Sequence, residues 1–462
     1  MRLFAASVAT ETNTFSPIPT SYASFEASFH APPGAADLTG SLHQAAGLGS
    51  RRARCEARAH DDEPAAIRRS DGAGCVDLHR GTGGGRGARD YGADVIKVEQ
   101  PGEGDPHRTN INLTNFPKAA VNYPWHLDAR NKRSIALDLK ADRGRSALDR
   151  LIARADVLIT NFPFPVRARL RLNYADVTPV NERLIYASFT GYGESGPDKD
   201  QIGFDSNAYF ARSGLLDSAR YEGQPPAFSL PGSGDRPSAM GFLSAILIAL
   251  MDRERTGRGT WVASSLLANG LWANGVHAQA ALAGGFLPPR PPRARPRSAV
   301  ANIYETRDGR WMQLSIVRED KMWSALCRAI ERPELENDAR FAETKVRRQN
   351  AAALTAILDD VFRQHDWAHW HHLLVEVNIP HGPIARAEDI PNDEQAVAAR
   401  AVVETANTEM PRTLAAPFQV GGLTPRKAGP GPELGQHTDE ILREAGFAVE
   451  EIAELRESGA AA

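Results

Sequence analysis

From residue 91 onward the apolar positions fall into short runs separated by Gly and Pro turns. ADVIKVE (93–99) is a continuous apolar run closed by PGEG, the pattern of a buried strand followed by a turn. NKRSIALDLK (131–140) predicts a second strand. In the following segment Leu148, Leu151 and Ile152 recur at helical spacing and lead into a third strand, DVLITNF (156–162). NERLIYASFTGYG (181–193) predicts a fourth. Strands alternating with helices predict an α/β fold built on a parallel, doubly wound sheet.

After Asp235 a long helix is expected. Pro237 suits its first turn, Met240, Leu243, Ile246, Leu247 and Leu250 supply apolar positions, and Gly257 stands just past its end. The Pro/Arg-rich stretch LPPRPPRARPRSAV (287–300) predicts an extended linker at a domain boundary. Beyond it, IYETRDGRWMQLSI (303–316) reads as a hairpin turning at Arg307-Asp308-Gly309, with amphipathic helices to follow. Near the end, Thr438 is placed to cap a helix that carries Asp439 and Glu440 in its first turn and stops at Gly446.

Residues 41–90 break this order. They contain nine Arg, nine Gly, no Lys and no aromatic residue, and show no sustained period. This composition predicts a disordered linker that adds little to a core. Out-of-frame translation of GC-rich coding sequence yields the same bias; an intact reading frame on resequencing would exclude it.

Composition narrows the function. With 462 residues the chain holds two or three domains. Its 54 basic and 57 acidic residues give a net charge of -3, which points to neither a nucleic-acid nor a membrane partner. Cys55, Cys75 and Cys327 make neither a disulfide framework nor a zinc pattern and fit a reducing compartment. The first residues lack the apolar core of a signal peptide, and no run reaches the roughly 18 apolar residues of a membrane span. A cytoplasmic protein is expected.

Candidate chemistry is sparse. GTGGGRGA (81–88) misses the dinucleotide-loop spacing because Arg86 stands in place of the last glycine. His365, His369, His371 and His372 lie beside Trp367 and Trp370 without the further ligand and supporting shell of a metal centre, so they read as decoration of a helix face. Asp235, in GSGDRPSAM (232–240), has two readings. It caps a helix, or it is a nucleophile whose flanking glycines admit a thioester and whose neighbouring amides stabilise an oxyanion.

The segments YGADVIKVEQPGEGD, RNKRSIALDLK, ADVLITNF, RLIYASFTGYGESGP, GFDSNAYFARSGLL, GDRPSAM, ERTGRGTWVASSLLAN, APFQVGG and ELGQHTDEIL occur in the order found in the family III CoA-transferases, the CaiB/BaiF family. The chain resembles that family from about residue 91 to its end. The resemblance implies a Rossmann-like large domain, a smaller α+β domain and an interlocked homodimer. It implies Asp235 as catalytic nucleophile, acyl-CoA and carboxylic acids as substrates, coenzyme A thioester rather than any permanently bound cofactor, and no metal. Leu137, Lys140, Asn161, Phe162 and Arg169 match places where the family contacts CoA.

Departures from the family also carry information. Its α-methylacyl-CoA racemases use a histidine in a GHD motif, and here Phe204 occupies that place in GFD. Phenylalanine cannot exchange a proton, so transfer is expected over racemisation. RARPRSAVANIY lacks the glycine loop of the formyl-CoA members, which gives no support to an oxalate or formate role. Gln100 stands where some members have a CoA-contacting arginine. The family's opening strand survives only as a trace at Val76, Asp77 and Leu78, so a sheet lacking its central strand, in a catalytically defective fusion, is the competing expectation. MRLFAASVATETNTFSPIPTSYASF resembles the start of MlrC-type microcystin-degrading metallopeptidases, without that family's metal centre. The expected plan is an MlrC-like fragment (1–40), an anomalous segment (41–90), the large domain (91–286), linker and small domain (287–390), and a return to the large domain (391–462).

Overall fold

The structure is a computed structural model that describes the backbone of residues 75–78 and all of residues 89–462. The MlrC-like stretch, GTGGGRGA and most of the Arg/Gly-rich segment lie outside the described residues. The described residues belong to one compact unit.

Its main sheet has six parallel strands: β1 (Cys75–Leu78), β2 (Val95–Glu99), β3 (Arg133–Ala136), β4 (Val157–Thr160), β5 (Ile185–Thr190) and β6 (Trp261–Ser265). Their spatial order is β3-β2-β1-β4-β5-β6, the doubly wound order of dinucleotide-binding folds. Two expectations are corrected here. The trace at 76–78 is the central strand: Cys75 pairs with Val95 on one side and Val157 on the other, so the sheet is not missing its middle. The segment 41–90 also contributes to the core at its end. Arg89 is fully buried and donates to the carbonyls of Asp128 and Leu127, while Asp90 pairs with Arg130 at 2.6 Å. A four-residue strand carries no periodic signal and is fixed by its neighbours.

Burial on both faces explains the strand sequences. β2 is buried at all five positions and β4 at all four. One face packs Ile135, Leu148, Ile152, Leu158 and Leu172 into a core; the other packs Ile159, Ile185, Phe189, Phe242 and Ile246. The two charges inside β2 are compensated. Lys97 Nζ lies 2.6 Å from Asp105 Oδ2, and Arg108 forks onto both oxygens of Glu99 at 2.8 Å. These pairs tie the loop after β2 down over the sheet's C-terminal edge.

A second core, formed by Tyr304, Met312, Trp323, Phe341, Phe362 and Trp370 among others, sits between helices and an antiparallel sheet of β7 (Ile303–Glu305), β8 (Trp311–Leu314) and β9 (His381–Ile384). The hairpin turns as expected, with Gly309 at φ 69°. The overall class is therefore α/β with a smaller α+β part. Thr438 does not cap its helix. It is the first helical residue, and its hydroxyl accepts the Ala136 N–H at 3.1 Å and donates to the Ala462 carbonyl at 2.6 Å, fastening the C-terminal segment beside β3.

Candidate active site

Two adjoining hollows lie at the C-terminal ends of the strands, where ligands bind in open parallel sheets. The first, about 250 Å³, is lined by Glu99, Gln100, Gly104, Leu137, Lys140, Phe162 and Arg169 among others. The second, about 570 Å³, is lined by Asn161, Phe162, Phe189, Phe204 and Asp235 among others. Asp105, Pro106 and Phe162 line both. Four of the five positions matched to CoA contacts thus share one hollow. Asn161 and Phe162 share the other with Asp235.

Asp235 begins the helix Asp235–Thr256. The cap position falls to Gly234, and Asp235 is the first helical residue. A carboxylate in the first turn faces the positive end of the helix dipole and the backbone N–H groups that have no partner within the helix. The helix ends as expected at Gly257, with φ 73°.

Local packing fixes this terminus. The loop reaches it through Gly232 at φ 67°, a conformation that disfavours a side chain. Ser238 Oγ donates to the Gly234 carbonyl at 2.7 Å, and Arg236 donates to the Gly232 carbonyl at 3.0 Å. The GFD segment packs alongside: Asp205 Oδ2 accepts the Gly234 N–H at 3.5 Å, and Asp205–Ala211 forms a π-helical turn, a distortion that recurs at functional sites. That segment approaches β5 because Gly203 crosses Gly191; a Cβ on Gly191 would lie 2.6 Å from the Gly203 Cα.

Other site residues went unread in the sequence. Asp105 is 4 % exposed. Burial alone would raise its pKa, but Lys97, the His107 N–H and the His107 charge outweigh it and hold the carboxyl below the ordinary aspartate value. GEGDPHR contained a signal, an Asp just before a helix-starting Pro, and Asp105 does cap the turn that begins at Pro106. His107 also lines the second hollow, with Nε2 3.0 Å from Asp128 Oδ2 and Nδ1 2.7 Å from the Asn110 amide, so both ring nitrogens are engaged. Phe162 is held by its carbonyl, which accepts from the buried Arg167 Nε at 2.6 Å. His369, His371 and His372 lie on the helix Trp367–Glu376, and among the described residues no group of three or more ligating side chains is placed to hold an ion.

Fold and site together define an α/β protein whose strand-end cleft runs into a helix-terminal carboxylate. The chain belongs to CoA-transferase family III, whose sequence profile matches residues 87–438. It is 30% identical over 374 residues to (R)-2-hydroxy-4-methylpentanoate CoA-transferase of Clostridioides difficile, covering 80% of this chain and 92% of the relative. It is 30% identical over 379 residues to cinnamoyl-CoA:phenyllactate CoA-transferase of Clostridium sporogenes, covering 80% and 91%. A CaiB/BaiF family protein from Brucella suis superposes with a TM-score of 0.72 at 29% identity, covering 81% of this chain and 98% of the other. Its relatives at about 30% identity are CoA-transferases, enzymes that act on CoA thioesters, which supports a family III CoA-transferase function.

Proposed function

We propose that the protein is an acyl-CoA:carboxylate CoA-transferase that works through an aspartyl-CoA thioester on Asp235. The observation that carries this reading is that the hollow lined by Lys140 and Arg169 shares Asp105, Pro106 and Phe162 with the one that holds Asp235. Lys140, Arg169 and Leu137 bind the CoA nucleotide part in the first hollow, the two cations meeting its phosphates. Asn161 and Phe162 receive the pantetheine at the junction.

An Asp235 carboxylate oxygen attacks the thioester carbonyl, forming a mixed anhydride and expelling CoA thiolate. The thiolate attacks the aspartyl carbonyl, giving aspartyl-CoA and releasing the first acid as its carboxylate. The acceptor carboxylate then attacks aspartyl-CoA, a second anhydride forms, and the returning thiolate takes the new acyl group and frees Asp235. Every step exchanges one acyl bond for another, so the cycle needs no electron carrier and consumes no proton. Backbone N–H groups at the helix start supply the stabilisation that each tetrahedral oxyanion needs.

The racemase-like alternative requires a proton-exchanging partner for Asp235. Phe204 lines the same hollow without one. An interlocked cytoplasmic homodimer belongs to the same proposal. Ile248, Met251, Trp272, Val276, Leu282 and Phe286 stand exposed in a single chain, an apolar surface that a second copy would cover. The test is Asp235→Asn: transfer should be lost while binding of CoA still raises Tm. Retained transfer would refute the nucleophile, and no rise in Tm for either form would favour a defective fusion product.

A further inference from the structure

The wall of the Asp235 hollow carries a pattern that thioester exchange does not itself require. Five phenylalanines line it: Phe162, Phe164, Phe189, Phe204 and Phe242. Phe189 and Phe242 form a fixed inner pair, their rings 5.3 Å apart and tilted by 59°, both buried in the core behind the site. Phe204 and Ile202 stand at the rim, 63% and 73% exposed. Large apolar side chains held this open gain when a ligand covers them. About 570 Å³ is ample for an aromatic ring or a branched chain on the thioester carbonyl.

The charges at the same wall weigh against another class of acid. A second carboxylate on the substrate would need a guanidinium or a free ammonium to receive it. Among the described residues no arginine lines the hollow, and Arg236, next to the nucleophile, is turned to the Gly232 carbonyl at 3.0 Å and to Asp128 at 3.8 Å. Lys199 is the only lysine in the described lining; its Nζ lies 5.6 Å from the Phe164 ring, and the carboxylates of Asp200 and Asp205 line the same hollow. A distal carboxylate would meet like charges and phenyl faces.

We infer that the acid carried at Asp235 is a bulky apolar monocarboxylate, aromatic or branched, and that Phe204 helps to select it. The inference rests on the assignment of this hollow as the acyl site. It is tested by calorimetric titration of the full-length Asp235→Asn protein, which reads binding without turnover. The ligands are 3-phenylpropanoyl-CoA, 4-methylpentanoyl-CoA, acetyl-CoA, succinyl-CoA and glutaryl-CoA. The neutral Asn removes a negative charge and so favours the dicarboxylic thioesters, which makes the comparison conservative.

The two apolar thioesters should bind at least about tenfold more tightly than the dicarboxylic ones. Adding Phe204→Ala should weaken the apolar pair by about tenfold and acetyl-CoA by less than about twofold, with Phe204→Leu recovering most of the loss. Equal or tighter binding of succinyl-CoA or glutaryl-CoA overturns the inference. So does an equal effect of Phe204→Ala on every thioester, or failure of the apolar thioesters to bind. If the preference holds while the wild type forms no adduct on Asp235, the nucleophile assignment fails and the substrate class stands.

Discussion

Gly234 lies flat against the ring of Tyr209: a side chain at position 234 would bring its first carbon within 2.7 Å of Tyr209 Cδ1 and Cγ. Tyr209 is itself buried in the π-helical turn that follows Phe204. Two motifs far apart in sequence, GFD and GSGD, therefore meet through one missing Cβ. That contact sets where Asp235 stands relative to the hollow.

Gly234→Ala should accordingly move the nucleophile. Overpacking of this kind costs about 1–3 kcal/mol. The variant is expected to fold with a lowered Tm and to lose at least about tenfold in kcat, since a small misplacement of a reacting group is expensive. Thermal denaturation and steady-state assays check both.

Lys140→Ala and Arg169→Ala each remove one cation from the first hollow. KM for acyl-CoA should rise about five- to tenfold for each, with kcat nearly unchanged, because phosphate contacts act equally in the ground and transition states. The increases should shrink at high salt. Equal loss in kcat would place these residues at the reacting atoms instead.

The wild type should exchange no α-proton of a branched acyl-CoA in deuterium oxide. Phe204, in the place of the racemases' histidine, supplies no acid or base. Deuterium incorporation followed by mass spectrometry reads this directly, and incorporation at a rate comparable with transfer would restore the racemase reading.

Lys97 and Asp105 give a pH dependence of defined sign. The native Asp105 pKa is depressed relative to the unfolded chain, so its contribution to stability is full above the ordinary aspartate value and is lost as pH falls through and below it. Lys97→Met leaves the buried carboxylate without its 2.6 Å partner and should destabilise by about 3–5 kcal/mol at neutral pH. The variant's deficit should narrow as pH falls, because its buried carboxyl, without Lys97, takes up a proton at higher pH than the paired carboxyl of the wild type. Urea unfolding at several pH values measures it.

Much of the large sheet was readable because its strands are long apolar runs bounded by turns. β1 was not, since four residues in an Arg- and Gly-rich setting gain strand character only by pairing with β2 and β4. Thr438 fits the local pattern of a cap, yet its hydroxyl is claimed by Ala136 and Ala462, partners that only the fold supplies. The helix behind Asp235 was evident from Pro237 and Gly257. The rest of the wall comes from separate loops carrying Asp105, Lys199 and Phe204 and from a helix that starts at Phe164, which no spacing code connects.

The most direct test of Asp235 as nucleophile is to incubate the protein with an apolar acyl-CoA, quench with hydroxylamine, and locate the modified residue by peptide mass spectrometry. The account predicts a hydroxamate on Asp235 that requires acyl-CoA and is absent from Asp235→Asn. Transfer activity in the same preparation with Asp235 unmodified, or modification of another carboxylate, would contradict it.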